Sequence, residues 1–176
     1  DLSAVTLRAL FDRNDVDPAE VDDVVMGCVT QAGEQAANVA RYAWLAAGLP
    51  ESVPAATVDR QCGSSMQATH FAAQGVMAGA YDVVVAAGVE SMSRVPMGAG
   101  LVNGPGLPFG RGVTERYWSD GRPGLLDQGM CAELIAEKWH ISRGEMDDLG
   151  YESHVRALRA QDEGRFDREI VPVADG

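Results

Sequence analysis

Apolar and polar positions divide the first half of the chain into alternating helical and strand-like segments. Three apolar runs, at 21–29, 53–59 and 81–89, predict strands. Between and before them, segments at 2–11, 35–47 and 63–79 predict helices. Strands that alternate with helices at this spacing are typical of βαβ units, which form a covered and mostly parallel sheet. The pattern therefore predicts an α/β core.

The segment 63–79 differs from the other predicted helices. It consists almost wholly of Ala, Gly, Ser, Met and Gln and has no charged face. A helix without a polar face has to be covered by protein, so we expect it to be buried on most sides.

The pattern changes after residue 93. Residues 96–124 are rich in Gly, Pro and Arg, which predicts a long loop excursion of a functional or interfacial kind. Surface helices are predicted at 129–138 and 143–163, and a final strand at 166–173. The chain starts in a helical pattern without Met, and its last strand has no evident partner. We therefore expect further sequence at both ends.

Composition and charge limit the possible ligands. The chain is 46% apolar but only 6% aromatic, which favours helices packed closely on a sheet. Its 14 Lys and Arg against 26 Asp and Glu give a net charge of -12. That field disfavours nucleic acid and anionic membranes as partners. An anionic ligand would need a locally basic pocket or helix N-termini.

The cysteines indicate reduced thiols. Cys28, Cys62 and Cys131 are odd in number and have no metal-ligand spacing, so we expect neither a disulfide nor a metal site. Without a recognisable targeting segment, the expected location is cytoplasmic.

Cys62 lies at the point where the predicted strand 53–59 runs into the predicted helix 63–79. A strand, a sharp turn and a helix are the arrangement that serine hydrolases use to present a nucleophile. At a helix start, unpaired N–H groups and the positive end of the dipole favour thiolate over thiol. The same N–H groups could hold a developing oxyanion, and Gly63 leaves room for a substrate. Since buried cysteines are also common core residues, the residues alone leave both a catalytic and a core role open.

The other candidate groups lack this context. Cys28 in a strand and Cys131 in an amphipathic helix are predicted core residues. His70 follows Cys62 by eight residues on one helix, or about 12 Å, well beyond hydrogen-bond reach. His140 and His154 fall in the charged helical region and are predicted on the surface. No histidine of this chain is thus a good candidate for the base that activates Cys62.

Several segments together resemble thiolases. The residues around Cys62, the end of the following helix and the next strand resemble the nucleophile region of that family. The later segments resemble the loop domain that thiolases insert between core strands. In order along the chain, the matching segments are 38–41 (NVAR), 47–50 (AGLP), 58–65 (VDRQCGSS), 75–79 (GVMAG), 86–93 (AAGVESMS), 132–133 (AE), 141–143 (ISR), 164–166 (GRF) and 169–173 (EIVPV).

The resemblance implies the layered αβαβα fold of thiolases, here as an incomplete N-terminal half. Residues 1–92 would form the N-terminal core without its first strand, and residues 93–176 a loop domain incomplete at its C-terminal end. The implied function is an acyltransferase that forms or cleaves 3-ketoacyl-CoA through an acyl-enzyme on Cys62. Coenzyme A and acyl-CoA would be substrates, with no permanently bound cofactor, and the protein would form a homodimer or homotetramer.

Other parts of the family pattern are missing. Thiolases use a histidine in Gly-His-Pro, an Asn-Glu segment and a second cysteine near the C-terminus, and none of these motifs occurs here. Cys28 and Cys131 do not match the second cysteine. The resemblance therefore implies that this chain alone is inactive, and it assigns no residue to coenzyme A binding.

A further departure concerns the acyl pocket. Many short-chain thiolases carry His-Met-Gly where this chain has Asp127-Gln128-Gly129. Either the pocket takes a bulkier acyl chain or a steroid-like side chain, or the loop simply varies.

Two alternatives to a thiolase stay open. A ketosynthase-like condensing enzyme has a similar fold type but takes its acyl groups from a carrier protein. The sequence of residues 60–64 (RQCGS) favours a thiolase over a ketosynthase. A non-catalytic thiolase-like protein for lipid binding or assembly would share the fold without the activity, because fold alone says little about function.

Overall fold

The computed structural model describes residues 1–102, 104–122 and 124–173. Packing of the backbone divides them into two compact units. The first comprises residues 1–106 and the segment that begins at Val171, and the second comprises residues 107–170. The boundary expected at residues 92 and 93 stays a prediction.

The first unit contains a parallel sheet of three strands. They are β1 (Asp23–Gly27), β2 (Ala55–Val58) and β3 (Val84–Gly88), in the order β2-β1-β3. The register places Gly27 beside both Val58 and Gly88. The helices α1 (Leu2–Asp12), α2 (Val39–Ala46) and α3 (Ser64–Met77) accompany the sheet. The predicted α/β core is confirmed.

One face of the sheet packs against α1 and α2. Trp44 is fully buried there, and its indole N–H donates to the Pro50 carbonyl at 2.8 Å. The Phe11 ring meets it edge-on, with ring centroids 5.6 Å apart. From β1, this face takes the alternate residues Val24 and Met26, as the pleat of a strand requires. The buried residues of the cluster on this face are Ala4, Leu7, Val21, Val24, Met26, Ala40, Ala43, Trp44, Ala47, Val53 and Val85.

Helix α2 begins later than its pattern predicts. A 3₁₀ turn covers Gly33–Gln35, and Asn38 then adopts a left-handed φ of 67° as the N-cap of α2. The Asn38 side-chain oxygen accepts from the Arg41 N–H at 3.4 Å and from the Thr57 hydroxyl at 2.8 Å. Asn38 thus joins the start of α2 to β2, and the predicted start at residue 35 is wrong.

Helix α3 packs on the opposite face through a row of small residues. Ser64, Ala68 and Ala72, spaced four apart on one side of the helix, are its buried residues. The prediction that this helix is buried on most sides is wrong for the described chain, because only one row of its residues is buried. Its larger side chains are exposed, namely Met66, Phe71, Val76 and Met77.

The predicted loop 96–124 includes two short helices, α4 (Ala99–Val102) and α5 (Arg111–Tyr117), so the expectation of a plain loop is wrong. The Val102 N–H donates to the Gly98 carbonyl at 3.1 Å, which closes the turn of α4. In α5, Arg111 pairs with Glu115 one turn later at 2.6 Å. Such local bonds are compatible with a segment that has little apolar periodicity.

The two later helices follow the prediction closely. They are α6 (Gln128–Trp139) and α7 (Arg143–Asp162), both in the second unit. Asp127 caps α6, and a capping box of Ser142 and Glu145 starts α7. No helix within residues 1–102, 104–122 and 124–173 is long and apolar enough to cross a membrane.

The strand predicted at 166–173 is wrong. The Phe166 carbonyl accepts from the N–H groups of Glu169 at 2.9 Å and Ile170 at 3.0 Å, which makes a helical turn instead. In the described part of the chain, β1, β2 and β3 are the strands of the sheet, and none pairs with this segment. An alternating pattern needs a neighbouring strand before it can form a ladder.

Candidate active site

Cys62 is exposed at the turn between β2 and α3. Three residues separate it from the end of β2 at Val58, and Gly63, which follows it, is the N-cap of α3. The predicted strand-turn-helix placement is confirmed, while the catalytic role of the thiol stays a prediction. Since the first N–H groups of any α-helix have no partner within the helix, the thiol stands at a place that favours negative charge.

Two glycines on neighbouring strands let α3 begin close to the sheet. A Cβ atom on Gly27 would lie 2.2 Å from the Ser65 nitrogen and 2.3 Å from the Ser64 carbonyl carbon. A Cβ atom on Gly88 would lie 2.6 Å from the Ser65 Cβ. Real Cβ atoms essentially never come this close to another heavy atom. The first turn of α3 can therefore pack here because both strand positions are glycines. The glycine pair thereby allows the start of α3, which Cys62 precedes, to lie close to the sheet.

The turn at residues 59–64, here called the Gln61 turn, has a dense set of hydrogen bonds. Gln61 has a left-handed φ of 42°, which costs a residue with a side chain about 1 kcal/mol or more. The Asp59 carboxylate accepts from the Gln61 N–H at 2.7 Å and from the Gln61 side-chain amide at 3.1 Å. The Ser64 hydroxyl donates to the Gln61 carbonyl at 2.7 Å and accepts from the Arg60 N–H at 3.0 Å.

A second polar group joins the segments that follow β1 and β3. The Glu90 carboxylate accepts from the N–H groups of Val29 at 2.8 Å and Thr30 at 3.2 Å, and from the Gln35 amide at 2.9 Å. The buried Gln35 in turn accepts from the Ser91 N–H at 2.8 Å. Burial raises the pKa of Glu90, but the bonds from Val29, Gln35 and Thr30 outweigh it, and the net pKa is lowered.

Cys28 lies beside this group and is buried, as predicted. The Gln35 amide lies 3.6 Å from its sulfur. Burial, followed by the negative charges of Glu90 and Asp59, raises the pKa of the Cys28 thiol to about 11. Cys28 is therefore protonated near neutral pH and is a poor nucleophile.

The prediction that Cys131 lies in a core is wrong, because it is exposed on α6. The apolar side chains of that helix are exposed as well, with Leu134, Ile135 and Trp139 each about half accessible or more. Within the described residues, the amphipathic pattern of α6 has no apolar surface to pack on.

The histidines lie on the surface. His70 is exposed on α3, in the same first unit as Cys62. His140 ends α6 with a left-handed φ of 56°, and His154 is exposed on α7. The surface prediction for His140 and His154 is confirmed.

Three residues that hold the site, Asp59, Ser64 and Glu90, were not predicted from the sequence. Asp59 stands two positions before Gln61, which is the spacing of a side chain that caps a turn. Ser64 follows the N-cap Gly63, where a hydroxyl often bonds to the preceding turn. Glu90 is the sole charged residue of the segment 86–93 and stands two positions after the end of the apolar strand β3. These local signals could have found all three.

A groove of about 1110 Å³ in the first unit lies away from Cys62. Its apolar lining comes from α1, α2 and the segment after β3, and includes Leu2, Val5, Tyr42, Leu45, Val89 and Val95. Arg94 pairs there with Glu34 at 2.7 Å. Across the residues that the structure describes, no cluster of three or more His, Cys, Asp or Glu side chains could hold a metal ion.

The family model described as the N-terminal domain of thiolase matches residues 1–175. The chain belongs to the thiolase family. The resemblance read from the segments around Cys62 is thereby confirmed, together with the α/β fold class.

Named thiolases are similar to this chain along nearly its whole length. A steroid 3-ketoacyl-CoA thiolase from Mycobacterium tuberculosis is 49% identical over 175 residues, which are 98% of this chain and 43% of that protein. A 3-ketoacyl-CoA thiolase from Pseudoalteromonas translucida is 48% identical over 181 residues, or 100% of this chain and 44% of that thiolase. A 3-ketoacyl-CoA thiolase from Chromohalobacter salexigens is 43% identical over 180 residues, which are 99% of this chain and 43% of that thiolase. The chain thus spans less than half the length of these curated thiolases.

Proposed function

We propose that this chain carries the nucleophile of a thiolase-type acyltransferase and that the nucleophile is Cys62. The observation that carries the proposal is the exposed Cys62 thiol at the turn between β2 and α3, inside the segment that resembles the nucleophile region of thiolases. Cys28, the other cysteine of the first unit, is buried and held protonated.

In the degradative direction, the Cys62 sulfur attacks the 3-keto carbon of a 3-ketoacyl-CoA. The bond between C2 and C3 breaks, its electron pair stays on C2, and a proton completes acetyl-CoA. The shortened acyl chain remains on Cys62 as a thioester. The thiol of coenzyme A then attacks that thioester, forms the new acyl-CoA and returns Cys62 to its free state. The synthetic direction reverses these steps.

The start of α3 supports both steps. Negative charge on the Cys62 sulfur, and on the oxygen of each tetrahedral intermediate, is stabilised by nearby N–H groups of a helix start. The Cys62 N–H itself is our candidate for one oxyanion donor. Among the described residues of the first unit, none is a candidate for the proton carrier that activates the thiol, because His70 lies two turns along α3.

The substrate class is the second part of the proposal. The similar proteins carry names that specify 3-ketoacyl-CoA, and one of them specifies a steroid substrate. Asp127 and Gln128 take the place of His-Met at the start of α6. We infer a bulky acyl chain, of the steroid side-chain type, rather than acetoacetyl-CoA.

Other properties are proposed from family membership. They are a cytoplasmic location, a homodimer or homotetramer, no permanently bound cofactor, and neither nucleic acid nor membrane as a partner. We also propose a core at residues 1–92 and a loop domain at residues 93–176. The compact second unit at residues 107–170 lies inside that loop domain.

Trapping of the acyl-enzyme tests the nucleophile. The full-length gene product is incubated with acyl-CoA, and its intact mass should rise by one acyl group. Peptide mapping should place the group on Cys62, and added coenzyme A should remove it. Cys62→Ser should abolish the adduct, because the substitution is nearly isosteric but gives a far weaker nucleophile. Acylation of Cys28 or Cys131, or full activity of Cys62→Ser, would disprove the proposal.

The same assay separates the alternatives. A ketosynthase-like enzyme would take the acyl group from an acyl-carrier protein and not from coenzyme A. A non-catalytic binding protein would form no adduct with either donor while still binding the acyl ligand in equilibrium dialysis.

A further inference from the structure

The conformation of the Gln61 turn needs a cause, since Gln61 is not a residue that favours left-handed backbone. Its φ is 42°, and Cys62 follows it directly. If Gln61 relaxed to an ordinary negative φ, the next residue would be carried to a different position. The location of the Cys62 thiol therefore depends on whatever holds Gln61.

Two side chains hold Gln61 from its two ends. On the N-terminal side, the Asp59 carboxylate accepts from the Gln61 N–H at 2.7 Å. It also accepts from the Gln61 side-chain amide at 3.2 Å and 3.1 Å, through its two oxygens. On the C-terminal side, the Ser64 hydroxyl donates to the Gln61 carbonyl at 2.7 Å, and the Ser64 N–H donates to the same carbonyl at 3.2 Å.

Ser64 is itself held in place. It is 6% exposed, on the buried side of the first turn of α3, and it adjoins Ser65, which rests on Gly27 and Gly88. Its hydroxyl also accepts from the Arg60 N–H at 3.0 Å, so one oxygen spans the turn on both sides of Gln61. The helix start and the turn before it are thus tied through a single hydroxyl.

We propose that Asp59 and Ser64 are positioning residues for Cys62, which fix the left-handed Gln61 so that the thiol stands where it can attack an acyl group. The proposal rests on the proposed function of Cys62. Neither side chain acts on the substrate itself. Small displacements of a reacting atom cost much of the rate, so the effect falls on acylation rather than on substrate binding.

Variants of the full-length gene product test the proposal. Ser64→Ala and Asp59→Ala should each lower the rate of acyl-enzyme formation about tenfold to a hundredfold, the range expected for a displacement of about 1 Å. KM should stay within about twofold, because binding of the acyl-CoA is untouched. Iodoacetamide should also modify Cys62 more slowly. All rates are taken per folded molecule, as measured by circular dichroism.

Two matched controls separate positioning from general damage. Ser65→Ala removes the neighbouring hydroxyl of the same helical turn and should leave the acylation rate unchanged. Ser64→Thr keeps the hydroxyl and should remain within about threefold of the wild-type rate, since the bonds to Gln61 and Arg60 are retained. A merely structural role would lower Tm in Ser64→Ala without lowering the acylation rate of the folded protein.

The outcomes are distinct. If folded Ser64→Ala and Asp59→Ala acylate at the wild-type rate, the positioning proposal is wrong while the function of Cys62 stands. If Ser64→Ala does not fold, the acylation rate of Asp59→Ala tests the proposal by itself. Asp59 is exposed, so its truncation leaves no buried cavity. If the wild-type protein forms no adduct on Cys62, the proposed function itself fails before any variant is compared.

Discussion

At the scale of single residues, Glu90 carries an unusual number of contacts for one carboxylate. It accepts from two backbone N–H groups and the Gln35 amide, and so connects the segments after β1 and β3. A lowered pKa in the folded protein means that ionised Glu90 stabilises the fold. That contribution is present above the ordinary carboxylate pKa and is lost as pH falls through the lowered folded value.

We expect Glu90→Gln to destabilise the protein by about 1 kcal/mol near pH 7, because an amide cannot accept from all three donors. The difference from wild type should shrink as pH falls below about 4, where the unfolded carboxyl is already protonated. Thermal unfolding across pH measures both effects, with Glu51→Gln on the exposed surface as the control. A Tm difference that stays constant down to pH 3 would contradict this account.

Cys62 could be singled out from sequence, whereas the left-handed conformation of Gln61, which Asp59 and Ser64 hold, could not. The neighbouring residues indicate a cysteine between a strand and a helix, and they also indicate a buried cysteine such as Cys28. The bond from Ser64 back to Gln61 depends on a left-handed residue that no periodicity indicates. The burial of Cys131 was wrongly predicted because an amphipathic pattern shows which face is apolar but not whether anything covers it.

At the scale of elements, the glycine pair lets the first turn of α3 pack closely on the sheet. Gly27→Ala should destabilise the fold by about 3 kcal/mol or more, because the new Cβ would meet backbone atoms that cannot move independently. Gly150→Ala on α7 is the matched control. A Cβ there meets open space, and it should stabilise α7 by about 0.5–1 kcal/mol. Calorimetric Tm values compare the two, and an unchanged Tm for Gly27→Ala would overturn the close-packing argument.

The start of α6 tests the proposed acyl pocket. Exchanging Asp127 and Gln128 for His and Met should change the ratio of kcat/KM between short and long acyl-CoA substrates by about tenfold. Cys62 alkylation should not change. Because Asp127 also caps α6 through the Met130 N–H at 3.0 Å, Asp127→Asn is the control that keeps a capping side chain. An unchanged ratio would place both residues outside the pocket.

The types of the elements were predictable where a long apolar pattern ended at residues that stop a helix or a strand. The helices α6 and α7 and the three strands lie within about two or three residues of their predicted limits at most ends. The failures have physical causes. Asn38 delays α2 through a left-handed cap, and local bonds build α4 and α5 without apolar periodicity. Among the residues that the structure describes, the segment 166–173 has no strand to pair with.

At the scale of the whole molecule, the 176-residue chain by itself should show no thiolysis of acetoacetyl-CoA above background. The Gly-His-Pro, Asn-Glu and second-cysteine motifs of thiolases do not occur in it. Exposed apolar side chains on α3, with Met77 87% accessible and Met66 64%, should also make it associate. Light scattering after gel filtration and a turnover assay measure both, and appreciable turnover by the purified chain would contradict the expectation.

The contact between α3 and the glycine pair also limits how this protein can change over evolutionary time. Glycine is the smallest residue, so a substitution adds atoms where the backbone of Ser64 and Ser65 lies at Gly27, and where the Ser65 Cβ lies at Gly88. Accommodating them requires a shift of α3, and a shift of α3 carries Cys62 with it. Neutral drift at these two positions is therefore blocked by geometry, even though neither glycine has any chemistry of its own.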